Sequence, residues 1–102
     1  FNTLLLGGDG AISASGNFAP QVSVNLLQAF RDGDLARAAQ YHQTMLQIPQ
    51  MYQLDTPFVN VIKEAISLCG RPVSTYVLPP AGPLDEARKA QLKSLLQQLK
   101  LC

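Results

Sequence analysis

The 102-residue chain is long enough for one small domain with a modest core. Apolar residues make up an ordinary 47%, but charged residues only 15% against about 25% in a typical soluble protein, so the exterior is either covered by another body or cut from something larger. A formal net charge of +1 excludes the electrostatic footprint of a nucleic-acid or anionic-membrane binder, and no apolar run approaches the roughly 20 residues of a membrane-spanning helix.

Phe1 to Leu6 runs straight into Gly7-Gly8, the pattern of a helix whose stop signal is present and whose start is missing. The segment lacks the basic start and long apolar stretch of a signal peptide, and the chain is read as cytoplasmic. Ala11–Ser15 holds small residues around one β-branched Ile12, between Gly10 and Gly16. That composition predicts a short buried strand. Asn17 suits an N-cap and Pro20 a first helical turn. Val22, Leu26, Ala29 and Phe30 then form one apolar helical face, which Gly33 ends.

Asp34 is expected to cap a second helix from Leu35 to about Gln53, with Ala38, Met45 and Leu46 on its buried side and a kink at Pro49. Thr56-Pro57 should open a third helix, whose apolar face is Phe58, Val61, Ile62, Ala65, Ile66 and Cys69, closed by Gly70. Arg71 to Pro83 holds four prolines and reads as an extended connector. Asp85 and Glu86 favour the positive end of a last helix, striped by Leu84, Ala87, Leu92, Leu95, Leu96 and Leu99. Cys69 and Cys102 could pair, but nothing points to secretion, and a helix-end thiol and a tail thiol are the preferred reading.

One strand among helices is the difficulty, because its N–H and C=O groups need neighbours that this chain does not supply. Helix, strand, helix is the rhythm of a parallel α/β protein. The run Leu6-Gly7-Gly8-Asp9-Gly10-Ala11-Ile12-Ser13-Ala14-Ser15-Gly16-Asn17 resembles the last barrel strand of the dihydrodipicolinate synthase and N-acetylneuraminate lyase family, whose members carry a similar Gly-x-Gly-x-Ile-Ser-x-x-x-Asn pattern. The likeness extends over all 102 residues. The wording at Asn17-Phe18-Ala19-Pro20 and Leu54-Asp55-Thr56-Pro57-Phe58 looks most like the bacterial 2-keto-3-deoxy-pentonate and -gluconate aldolases.

The resemblance implies the α/β fold class: the C-terminal part of a (β/α)₈ TIM barrel followed by a three-helix extension, so mostly helical. Residues 1–33 would be the end of helix 7, strand 8 and helix 8, and residues 34–102 the extension. It implies a Schiff-base aldolase that splits a 2-keto-3-deoxy sugar acid into pyruvate and an aldehyde, with its lysine and tyrosine outside this chain. No cofactor or metal is expected, and the family likeness implies a homotetramer. Ile12 matches the position whose backbone lines the pyruvate pocket, with Ser13 and Ala14 beside it. Small side chains at a strand's mouth leave room for substrate, although they are also what close packing of barrel layers requires. A non-catalytic helical interaction module is the competing reading.

Other tempting residues are set aside. Lys63 matches a helix position of the family rather than the imine-forming lysine, and its stem is expected to pack with the amine snorkelled out. Gly7-Gly8-Asp9-Gly10 lacks the Gly-Lys-Ser/Thr of a phosphate loop. His42 is the only histidine and has no metal-ligand spacing around it. Tyr41, Tyr52 and Tyr76 are read as packing residues.

Overall fold

Glycines and aspartates punctuate the chain, and they set where its helices stop and start. In the computed structural model, which describes residues 1–102, the elements are α1 (Asn2–Leu5), a 3₁₀ turn (Ala14–Asn17), α2 (Pro20–Arg31), α3 (Leu35–Gln47), α4 (Pro49–Tyr52), α5 (Val59–Leu68) and α6 (Glu86–Gln98). There is no β-strand. Four helices end in the same paired hydrogen-bond pattern, the Schellman motif. Behind α5, for example, the Gly70 N–H donates to the Ser67 carbonyl (2.9 Å) and the Arg71 N–H to the Ile66 carbonyl (3.3 Å). Gly7 after α1, Gly33 after α2 and Gly70 after α5 occupy the left-handed position at φ +87°, +76° and +79°. Lys100 takes that position after α6 at φ 53°, where a side chain costs roughly 1–2 kcal/mol.

Asp34 and Asp85 cap α3 and α6 as expected, accepting from the Arg37 N–H (3.0 Å) and the Arg88 N–H (2.7 Å). Other boundaries differ from expectation. Asn17 does not cap α2; Ala19 does, with Pro20 in the first turn, because the Asn17 amide instead donates to the Ala14 carbonyl at 3.0 Å. Pro49 divides the second helix rather than kinking it, so α3 stops at Gln47 and α4 begins at the proline. The third helix starts at Val59, not Pro57. Leu46, Phe58 and Ala87, expected inside, are exposed.

The core is one cluster of Phe18, Ala19, Ile48, Met51, Val61, Ile62, Ala65, Leu84, Leu92 and Leu96. It draws on the 3₁₀ turn's exit and the first residue before α2, on α4 and its approach, and on α5 and α6. Met51 and Leu92 have no accessible surface. Asn60 is the buried polar residue on α5. Its amide donates to Asp55 Oδ2 and to the Gly82 carbonyl, both at 2.6 Å, so it joins the α4–α5 link to the connector. Arg88 and Lys89 reach from α6 to Asp55 (3.4 Å) and Glu64 (3.8 Å). The molecule is elongated, 43 × 24 × 23 Å.

Cys69 and Cys102 are bonded, with Cα atoms 5.2 Å apart, which corrects the reading of two separate thiols. The turn after α6 explains it: the Leu101 N–H returns to the Leu96 carbonyl (2.9 Å), aiming the last residues back at the end of α5. Closing a loop of 33 residues removes unfolded-state entropy equivalent to about 3–4 kcal/mol.

Candidate functional site

The stretch expected to be a strand, Ala11–Ser15, is not one. Residues 9–12 make no backbone hydrogen bond at all. A strand needs a ladder on at least one side, and no other extended segment lies alongside to provide it. Ser13 keeps strand-like dihedrals, φ −131° and ψ 127°. Ile12 projects wholly into solvent. Ala14 opens the 3₁₀ turn and is half-buried against the core.

The three predicted residues are therefore contiguous but held unequally. Ser13 Oγ lies 2.7 Å from Ser15 Oγ, and the Ser13 carbonyl accepts from the Gly16 N–H at 3.3 Å. Ser15 is buried, and its carbonyl accepts from the N–H groups of Phe18 (3.2 Å) and Ala19 (2.8 Å). Burial raises the Tyr52 phenol above its ordinary pKa, against the opposing pull of the Ser15 hydroxyl. The segment thus offers small side chains and unengaged backbone donors before a fixed turn. Such groups can receive a carboxylate, or pair with a neighbouring strand.

Two residues whose part here the sequence did not signal belong to this arrangement. Asn17 locks the turn through Ala14, and Arg71 Nη1 donates to the Asn17 carbonyl at 2.8 Å. The partners are 54 residues apart, and no local pattern signals the bond.

A cavity of about 290 Å³ lies beside the segment, between α1, Gly10–Ser13 and α2. Its polar side chains are the hydroxyls of Thr3, Ser13 and Ser23, without a charge among them. We read it as a seam between elements, since no charged side chain lines it.

The Lys63 ammonium donates to the Tyr76 carbonyl. That bond holds the Lys63 side chain against the connector, away from the Ala11–Ser15 segment. His42 is half-buried, its ring 5.8 Å from that of Phe1, and no group of three potential ligands could hold a metal ion. Asp55 has its carboxyl held below the ordinary range, chiefly by the Asn60 amide, then by the Thr56 N–H and the nearby Arg88 charge. It serves the α5–α6 joint rather than the segment.

The model of the dihydrodipicolinate synthetase family matches residues 1–99. The chain belongs to that family. It is 89% identical over 102 residues to the putative 2-dehydro-3-deoxy-D-gluconate aldolase YagE of Escherichia coli K12, covering 100% of this chain and 34% of that protein. It is 52% identical over 95 residues to the probable 2-dehydro-3-deoxy-D-pentonate aldolase YjhH of the same organism, covering 93% and 32%. Its fold matches the crystal structure of YagE in complex with pyruvate with a TM-score of 0.96, over 99% of this chain and 34% of that one. The family resemblance and its leaning toward sugar-acid aldolases are borne out. The chain spans about a third of the length of the relatives it matches.

Proposed function

We propose that these 102 residues serve a Schiff-base, pyruvate-dependent aldolase that cleaves a 2-keto-3-deoxy sugar acid into pyruvate and an aldehyde. The observation that carries this reading is the 0.96 TM-score, at 89% identity, against a protein crystallised with pyruvate. The chain's own residues supply the frame rather than the nucleophile. Its one lysine on α5 is held to the Tyr76 carbonyl, and by the family resemblance the imine-forming lysine and the proton-shuttling tyrosine would lie on other parts of the full-length protein.

Within that protein, residues 1–33 would close a (β/α)₈ barrel and residues 34–102 form the helical extension. Ala11–Ser15 would become the eighth strand once flanked on both sides, with Ile12, Ser13 and Ala14 at its substrate-facing mouth. The unengaged backbone groups of residues 9–12 are what such pairing requires. The protein would act in the cytoplasm as a homotetramer, to which the low charged fraction is suited.

Borohydride trapping tests the chemistry. Full-length protein incubated with pyruvate and borohydride should gain one reduced adduct per subunit, on a lysine other than Lys63. The purified 102-residue chain should gain none. Ser13→Leu in the full-length protein should lower kcat/KM at least tenfold, about 1.4 kcal/mol, by filling the mouth while the fold persists. An adduct at Lys63, or a Ser13→Leu enzyme with wild-type kcat/KM, would contradict the proposal.

A further inference from the structure

We propose that Arg71 is a positioning residue for the substrate-binding segment Ile12–Ala14, an inference that rests on the aldolase reading above. Arg71 stands at a fixed point. Its own N–H closes the turn after α5, on the Ile66 carbonyl. Two residues earlier, Cys69 is bonded to Cys102.

From that anchor the guanidinium donates to the Asn17 carbonyl at 2.8 Å, while the Asn17 amide donates to the Ala14 carbonyl at 3.0 Å. One residue thus couples the end of α5 to the last residue of the segment. Apart from the pull of the Ser15 hydroxyl on Tyr52, this is the side-chain hydrogen bond that joins residues 1–19 to the rest of the molecule. A cationic donor makes the stronger class of hydrogen bond, and the guanidinium's rigid fork loses less freedom on bonding than a lysine chain does. The segment just before the turn has no ladder to hold it, so its exit direction is set by how firmly the turn is held. Displacing binding groups by a fraction of an ångström weakens substrate capture.

The test uses the full-length protein and the variants Arg71→Met and Arg71→Lys. Two quantities separate positioning from mere stability: the pyruvate concentration that half-saturates borohydride trapping, and deuterium uptake in the peptide spanning residues 11–19. Arg71→Met should raise the half-saturating concentration about fivefold with kcat changed less than twofold, and speed uptake in that peptide selectively. Arg71→Lys should fall between it and wild type, and carries the test if the methionine variant does not fold. A lower melting temperature with unchanged half-saturation and unchanged uptake would overturn the inference. If wild-type protein traps no pyruvate, the aldolase reading fails first and takes the substrate role of Arg71 with it; unaltered uptake in either variant then also removes its hold on the turn.

Discussion

Residues 1–14 and residues 15–102 obey different rules. The first stretch contains no buried residue, its Ile12 is fully solvated, and residues 9–12 leave every backbone group unpaired. The second stretch contains all of the buried residues and no buried side-chain polar atom without a partner. Yet the candidate substrate residues Ile12 and Ser13 lie in the first stretch, and Ala14 lies at the join. Helices satisfy their backbone internally, so a run of them can close its own core. A strand cannot, and takes its order from neighbours. On the proposed reading, the part that would bind substrate is the part that must borrow structure, while the helical part would supply its anchor.

Paired substitutions put the largest strain on that contrast. Leu92→Ala should destabilise the chain by about 2–5 kcal/mol, because Leu92 has no accessible surface and its removal leaves a cavity. Ile12→Ala should change stability by less than about 0.5 kcal/mol. Urea unfolding of both variants measures this directly. Comparable losses would mean that Ile12 is packed after all.

A smaller effect concerns the joint between α5 and α6. The Asp55 carboxyl has a lower pKa folded than unfolded, first because of the Asn60 amide. The folded state therefore binds fewer protons, and the contribution is present above the unfolded value, roughly 4. It disappears as pH falls through the folded value. Asp55→Asn should flatten the acid limb of the stability curve without altering exchange at residues 9–13. A melting-temperature series from pH 7 to pH 3 on both proteins reads the difference, and parallel acid limbs would remove Asp55 from the joint.

Much of the helical part was legible because its signals are local. Gly33 and Gly70 stop their helices and Asp34 and Asp85 start theirs through contacts within five residues. The apolar positions Leu26, Ala29, Val61, Ile62, Ala65, Leu92 and Leu96 all fall inside as their spacing requires. What escaped was non-local. The Cys69–Cys102 bond depends on where the turn at Lys100 sends the chain, and the Asn60 amide reaches 22 residues along the chain to Gly82. Ala11–Ser15 was misjudged for the opposite reason: composition reported a strand's preferences, whereas a strand's existence depends on partners. Arg71 looked like one basic residue in a proline-rich connector, and only its reach to Asn17 links it to the site.

Amide hydrogen exchange on the purified, monomeric 102-residue chain tests the division most directly. Slow exchange is expected at Ala65 and Leu96 in the core helices, and exchange near the unstructured rate at Ala11, Ile12 and Ser13. Strong protection of Ile12 in a demonstrated monomer would contradict that division, because the segment would then hold its structure without borrowed neighbours.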